Sequence, residues 1–384
     1  YAGTLVDGYT VDDVIITVNE EITYTESETQ DTYGWVSTGL SFVANDYSGV
    51  IAEMQQDIGI LEQRVSKLAT TSSGSSIPSY WTSELETKAD LIQQAVEVAG
   101  RNKSAFLWYT DAHWLNNAKK SPMILEYMID NTSINKVNFG GDIITDHNPW
   151  VHDAVKYAYE WKQMISKIPN HHSVYGNHDV NHRTTDVSKI AYSLVLAKEE
   201  SSNMVVGDID SSYYIDCPSE KTRYIYKSYQ TTDTTSMLAE CQFIADALKS
   251  TKEGWHIVAI SHRWFQYTTS ANPTVGNFPA YEKDILDVFD AYNNRQTRNG
   301  SNYFTAQDFT NCKGRVEFCI AGHIHVDHDV RTAGGIPVII TASDTNQERS
   351  SVEEEDCGIV GTITEQAVYG IIADYDNNKI NVIG

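Results

Sequence analysis

Residues 105–113 read AFLWYTDAH, an apolar run followed by an acid and an imidazole. The run AFLWY has the length and composition of a buried strand, and Asp111 and His113 follow the point where such a strand ends. Residues i and i+2 of an extended chain share a face, so these two side chains can reach one ligand together. The segment therefore predicts a sheet with polar chemistry at its carboxyl edge.

Four later apolar segments repeat this arrangement. The five predicted strands are residues 105–109, 136–139, 173–175, 257–260 and 316–320. Helical patterns alternate with them, which is typical of an α/β domain. Before the first strand, Ser83 and Glu86 predict a capping box, and a helix from there ends at Gly100. Ligand sites of α/β sheets form outside the carboxyl ends of the strands, where the polar residues of this chain cluster.

The residues after these strands are of metal-ligating types. In chain order they are Asp111 and His113, Gly141-Asp142, Gly176-Asn177-His178-Asp179, His262, and Gly322-His323-Ile324-His325. Imidazole, carboxylate and amide groups bind borderline divalent ions such as Mn, Zn, Fe or Ni. Seven of these residues are candidate ligands, namely Asp111, His113, Asp142, Asn177, His262, His323 and His325. Seven ligands exceed what one ion needs, so two ions are predicted. His262 has no motif around it, and His256 is the alternative, although His256 lies at the wrong end of its strand.

The order DxH, GD, GNHD, lone His and GHxH resembles that of the calcineurin-like metallophosphoesterases, from about residue 105 to the end of the chain. The resemblance implies a four-layer αββα sandwich with the site at the ends of the central strands. It implies a first ion on Asp111, His113 and His325, a second on Asn177, His262 and His323, and Asp142 as the bridge. It also implies His178 as general acid, with Asp179 or Asp146 orienting its ring.

One departure from the motifs of this superfamily bears on the substrate. Protein phosphatases of this superfamily carry GDxxDRG, whereas here Asp146 stands four residues after Asp142 and no Arg adjoins it. A phosphoprotein substrate is therefore disfavoured, and the chain is more similar to the bacterial and phage-borne phosphodiesterase branch.

The N-terminal part has a different composition from the rest. Residues 1–49 hold nine acidic residues and no Lys or Arg, and the Val, Ile and Thr content of residues 11–24 predicts a small β-rich module. Residues 50–69 form a short coiled-coil pattern, and residues 70–79 a linker to the catalytic domain, residues 80–384. The heptad positions are Ile51, Met54, Ile58, Leu61, Val65 and Leu68. The stripe predicts a homo-oligomer, a trimer or dimer, through residues 51–68, and the alternative is a helix packed on its own domain.

Charge and residue composition limit the kinds of partner that the protein is expected to bind. A net charge of −24 disfavours binding to duplex nucleic acid. No apolar run is long enough to cross a bilayer, and the five cysteines contain no CxxC pair. We expect two-metal hydrolysis of a phosphodiester in a teichoic-acid-like envelope polymer or glycan, by an extracellular or virion-associated enzyme attached to a phage tail or cell surface. A cytoplasmic location, a nucleotide or cyclic-nucleotide phosphodiesterase, and an inactive structural virion protein stay open as alternatives.

Overall fold

The computed structural model describes residues 77–114, 118–145, 154–181, 201–207, 212–228, 234–264, 280–344 and 362–384. The predicted N-terminal module, the coiled coil and most of the linker lie outside these residues, as does Asp146. Those interpretations stay predictions.

The first of two large sheets contains the strand that precedes Asp111. Its order is β14-β13-β1-β2-β3, in which β1, β2 and β3 run parallel while β13 and β14 pair antiparallel. The strands are β1 Lys103–Tyr109, β2 Val137–Phe139, β3 His171–Ser173, β13 Val368–Asp374 and β14 Lys379–Ile383. The carboxyl ends of β1, β2 and β3 therefore meet at one edge of this sheet.

The second sheet has seven strands in the order β11-β12-β10-β7-β6-β5-β4. Strands β12, β10, β7 and β6 are parallel, and both ends of the sheet are antiparallel. The strands are β4 Met204–Val206, β5 Tyr213–Cys217, β6 Thr222–Lys227, β7 His256–Ser261, β10 Arg315–Ala321, β11 His328–Arg331 and β12 Pro337–Ile340. A separate two-stranded sheet joins β8 Thr297–Arg298 to β9 Gln307–Asp308.

Alternating side chains of β1 show how the layers stack. Phe106 and Trp108 belong to the apolar core between the two sheets, whereas Leu107 and Tyr109 belong to the core under the outer helices. A third core joins the second sheet to its own helices. The helices are α1 Thr82–Val98, α2 Ser121–Asn131, α3 Ala154–Ile165, α4 Asn177–Asn181, α5 Thr234–Lys249 and α6 Ala280–Asn293. The predicted four-layer αββα sandwich is confirmed.

Two local predictions were wrong. Helix α1 forms, but the predicted capping box does not. The N-cap is Trp81, which makes no side-chain cap hydrogen bond. Ser83 lies inside the helix, where its carbonyl accepts a hydrogen bond from the Thr87 hydroxyl. The third strand ends at Ser173 instead of spanning 173–175, because parallel pairing with β2 ends where Phe139 meets Ser173. Val174 and Tyr175 are buried without belonging to the strand.

Among the described helices, none combines the length and the apolar character that a bilayer crossing requires.

Candidate metal centre

Both sheets deliver candidate ligands to the same edge of the sandwich. Asp111 and His113 follow β1, Asp142 follows β2, and Asn177 begins α4 after β3. The second sheet contributes three imidazoles, His262 after β7 and His323 and His325 after β10. The structure thus brings together residues that are more than two hundred positions apart in the chain.

The first group of ligand atoms comprises Asp111, His113 and His325, all within 4.8 Å of one another. His325 Nε2 lies 3.3 Å from Asp111 Oδ1, and the His113 and His325 rings are 5.4 Å apart. Asp111 and His113 are fully buried. A set of one carboxylate and two imidazoles, of which only His325 is partly exposed, suits a divalent ion.

The second group centres on the His262 ring. Its Nδ1 donates to the Gly140 carbonyl at 2.9 Å, which directs Nε2 away from that backbone. Nε2 then lies 3.0 Å from Asn177 Oδ1, 3.1 Å from His323 Nδ1 and 3.1 Å from Asp142 Oδ2. An imidazole anchored through one nitrogen and presenting the other is the usual arrangement of a metal-ligating His.

Asp142 joins the two groups. It belongs to the set with His262 and His323 and also to a set with His113 and His178. Since His113 is a member of the first group, the carboxylate of Asp142 lies between two adjacent places where ions could sit. The family resemblance implies a bridging role for Asp142, and that role stays a prediction.

The distances between donor atoms fit metal ions. In a tetrahedral site, metal–ligand bonds of about 2.1 Å place neighbouring ligand atoms about 3.4 Å apart. The separations observed around His262 Nε2 and between His325 and Asp111 are 3.0–3.3 Å. The donor set, in spacing and in chemistry, therefore fits two divalent ions without a large rearrangement.

Buried charges shape the protonation of these groups. Burial would raise the pKa of Asp111, but the positive charge of His262 and a hydrogen bond from His325 outweigh it and lower the pKa to about 2. Asp142 also keeps a pKa well below its usual value, because His262 and His178 oppose the effect of burial. Burial lowers the pKa of His262, yet the carboxylates of Asp142 and Asp111 hold it above the usual value. Asp111 and Asp142 are thus carboxylates, the form in which an acid binds a metal, whereas His262 must lose its ring proton to do so.

Comparison with known proteins also supports a metal centre. A family profile for calcineurin-like phosphoesterases matches residues 105–327, more than half of the chain. The chain belongs to this family. Membership supports metal-dependent hydrolysis of a phosphoester, and the Asp and His groups described above suggest a dimetal centre.

Two solved structures are similar to this phosphoesterase. A dimetal phosphatase from Danio rerio is 11% identical, with a TM-score of 0.42, and the match covers 70% of this chain and 91% of that one. An NAD nucleotidase from Haemophilus influenzae is 14% identical, with a TM-score of 0.39, covering 73% of this chain and 49% of the nucleotidase. The comparison with curated proteins found no match.

His178, the predicted general acid, lies at the edge of the phosphoesterase site. Its Nε2 is 3.8 Å from Asp142 Oδ2, its ring is 4.8 Å from that of His113, and its side chain is 16% exposed. Its backbone N–H donates to Asp142 Oδ1 at 2.8 Å. The ring therefore lies beside the candidate ligands and still reaches solvent, as a proton donor to a leaving group must.

The contacts of Asp179 favour a structural role over the predicted contact with the His178 ring. One carboxylate oxygen accepts backbone N–H groups of Ile143 and Ile144, and the other accepts that of Gly176. Burial and the nearby charge of Asp142 raise the pKa of Asp179 to about 7. Asp179 thus ties the loop after β2 to the loop after β3, and both loops carry candidate ligands.

Two positioning residues were missed by the sequence analysis. The Thr110 hydroxyl donates to Asp111 Oδ2 at 2.6 Å, and the Ser343 hydroxyl donates to the Asp111 carbonyl at 2.8 Å. The position of Thr110 beside Asp111 was a usable signal, whereas nothing near Ser343 in the sequence marks its role. Together they fix both the side chain and the backbone of Asp111.

The backbone of the site is unusually strained. Left-handed φ values occur at five of the seven candidate ligands, namely Asp111, His113, Asp142, His323 and His325, with φ between 47° and 75°. Strain of this kind persists only where surrounding contacts hold it, and it concentrates at functional sites. Gly322 shows how tight these contacts are, since a Cβ there would lie 2.0 Å from Asp111 Oδ2.

Replacing Gly322 with Ala is therefore expected to displace the Asp111 carboxylate and weaken metal binding about 10- to 100-fold. Titration of the apo protein with Mn²⁺, followed by calorimetry, measures this effect. Gly300→Ala is the matched control, because a Cβ at Gly300 meets its nearest atoms at an ordinary 3.4 Å. Unchanged Mn²⁺ affinity in Gly322→Ala would show that the Asp111 carboxylate is not held as described.

Proposed function

We propose that this protein hydrolyses a phosphodiester at a two-metal centre, with the ligand roles that the family resemblance implies. Asp111, His113 and His325 hold the first ion, Asn177, His262 and His323 hold the second, and Asp142 is the bridge. The observation that carries the proposal is the position of Asp142, whose carboxylate lies with His262 and His323 on one side and with His113 and His178 on the other. Mn, Zn, Fe and Ni are the candidate ions, because imidazoles and carboxylates make up nearly all of the donor set.

When bound, such a pair of ions would polarise a phosphoryl group and lower the pKa of a water molecule. The protein supplies the rest of the chemistry. Asp111 and Asp142 enter as carboxylates, and the bond from His262 Nδ1 to Gly140 fixes that ring with Nε2 toward the site. His178 holds the proton that the leaving alkoxide takes up, on a ring that lies beside Asp142 and is 16% exposed to solvent. General acid catalysis of this kind contributes about 10²- to 10⁴-fold.

A diester is proposed over a phosphoprotein monoester because the chain has Asp146 four residues after Asp142 and no adjoining Arg. For the native substrate we propose an envelope polymer or glycan linked by phosphodiesters, of the teichoic-acid type. The support is the N-terminal arrangement of an acidic module followed by a heptad stripe at residues 51–68, which suits attachment of an oligomer to a phage tail or cell surface. The corresponding location is extracellular or virion-associated.

Steady-state turnover of bis(p-nitrophenyl) phosphate and p-nitrophenyl phosphate tests the reaction class, with the protein loaded with Mn, Zn or Ni. The expected result is metal-dependent turnover with kcat/KM at least about tenfold higher for the diester, a difference of about 1.4 kcal/mol in transition-state binding. Faster turnover of the monoester would overturn the diester assignment. No turnover of either ester with any ion would overturn the enzymatic function.

The substrate class is tested with purified wall teichoic acid, cyclic AMP and bis(p-nitrophenyl) phosphate at equal phosphodiester concentration. Release of repeat-unit phosphomonoesters from the teichoic acid, detected by ³¹P NMR, is the expected result. Cleavage of the cyclic nucleotide alone would overturn the polymer as the substrate and favour a nucleotide instead.

A further inference from the structure

The turn that follows the first two candidate ligands has a strained backbone at two consecutive residues. His113 and Trp114 both have left-handed φ values, 47° and 43°. This conformation is uncommon for residues other than Gly, and for a side chain as bulky as that of Trp it is an outlier. Such a turn persists only where contacts outside the turn hold it in place.

The indole of Trp114 makes contacts of this kind. It is fully buried in the core between the first sheet and its outer helices. Its Nε1 donates a hydrogen bond to Glu160 Oε2 on α3, at 3.3 Å. Trp114 is thereby tied to an outer helix, while His113 beside it belongs to the first group of candidate ligands.

Glu160 also forms ion pairs, but these involve more exposed partners. Lys119 Nζ donates to the same Oε2 at 2.8 Å, and Lys156 Nζ lies 4.0 Å from Oε1. The side chains of Lys119 and Lys156 are 35% and 54% exposed. Ion pairs in such exposed positions stabilise a protein little. The contact of Glu160 that bears on the turn is therefore the bond from the buried indole.

His113 is held from the opposite side by the metal centre. Its backbone N–H donates to the Asp142 carbonyl at 2.9 Å. Its ring lies 4.8 Å from that of His178 and 5.4 Å from that of His325. Because the backbone of His113 sets the direction of its ring, a shift of Trp114 would turn the imidazole away from the other ligand atoms.

We propose that Trp114 and Glu160 are positioning residues for His113, and that their contact sets the affinity of the protein for the first ion. The inference rests on the proposed function, which gives His113 its role as a ligand. Removal of a group that orients a metal ligand, without itself touching the ion, weakens metal binding about 10- to 100-fold.

Calorimetric titration of the apo protein with Mn²⁺ tests the proposal, together with the EPR spectrum at two Mn²⁺ per chain, where neighbouring ions are magnetically coupled. Trp114→Phe keeps an aromatic ring in the core and removes the N–H donor. Trp161→Phe is the matched control, because Trp161 is a buried residue of the same core whose Nε1 has no hydrogen-bond partner in the described part of the chain.

A second pair of variants changes the acceptor. Glu160→Leu removes it, whereas Glu160→Gln keeps an oxygen that can accept the indole N–H. If Trp114→Phe does not fold, as judged by circular dichroism, this pair of variants at the partly exposed Glu160 decides the outcome.

Trp114→Phe and Glu160→Leu are expected to raise the Kd of one of the two Mn²⁺ ions at least about tenfold. The EPR spectrum at two Mn²⁺ per chain should then lose coupled signal and gain the signal of isolated Mn²⁺. Trp161→Phe should keep both Kd values within about twofold, even where its Tm falls, and Glu160→Gln should restore the affinity to within about threefold of the unmodified protein.

The proposal is overturned by unchanged Mn²⁺ affinity in Trp114→Phe and Glu160→Leu. Equal weakening in Trp161→Phe overturns it too, because the loss would then come from core packing, and so does a Glu160→Gln variant that binds Mn²⁺ as weakly as Glu160→Leu. Absence of Mn²⁺ binding to the unmodified protein also overturns it. If the variants weaken Mn²⁺ binding as expected but the unmodified protein hydrolyses no ester, the inference stands and the proposed function fails.

Discussion

Replacement of Asp142 by Asn is expected to lower kcat/KM for both nitrophenyl esters at least about a thousandfold, equivalent to about 4 kcal/mol of lost transition-state stabilisation. The carboxylate is 1% exposed and belongs to two of the three candidate ligand groups. Asn has nearly the same shape and can still accept the bond from the His178 backbone, but it removes the negative charge between the two ions. Steady-state kinetics at saturating Mn²⁺ measure the loss.

Asp329→Asn is the control for this substitution. Asp329 is an exposed carboxylate on β11, so its neutralisation changes the net charge of the protein equally without touching the site. Circular dichroism of both variants checks that the fold is kept. A rate within about threefold of the unmodified protein in Asp142→Asn, at saturating metal, would contradict the bridging role, because it corresponds to less than 1 kcal/mol.

Replacement of His178 by Ala is expected to lower kcat about 10²- to 10⁴-fold for a diester with an alkyl leaving group. The expected effect on a nitrophenyl ester is much smaller, because a stable phenolate departs without a proton. Metal content should stay unchanged, since His178 is not among the proposed ligands. The measurement is kcat across a series of diesters with leaving groups of increasing basicity.

His328→Asn serves as the comparison, because it removes an imidazole on β11 that belongs to none of the candidate ligand groups. A His178→Ala variant that slows all diesters by the same factor would argue against proton donation. It would instead indicate a role in holding Asp142 or His113.

The sequence alone predicted the grouping of the candidate ligands well. The segments before Asp111, Asp142, His262 and His323 are strands, and parallel strands bring their carboxyl ends to one edge, so the polar residues that follow them meet. The choice of His262 over His256 followed from the same reasoning. In the structure His256 instead pairs with Glu317 and stacks on Tyr375 at the other end of the strand.

Other features depend on tertiary contacts that no local pattern encodes. The third strand consists of His171, His172 and Ser173, polar residues that are buried only because the sandwich closes over them. Strand β13 lies next to β1 although it is more than 260 residues later in the chain. The role of Asp179 depends on backbone N–H groups of two loops, and the pairing of Arg263 with Glu282 joins a strand end to a helix.

The most direct test of the central claim is an anomalous diffraction measurement on crystals loaded with Mn²⁺, at the manganese absorption edge. We expect two anomalous peaks per chain, about 3.5–4 Å apart, with Asp142 between them, His325 beside one peak and His262 beside the other. A single peak, or none among these side chains at saturating Mn²⁺, would contradict a two-metal centre.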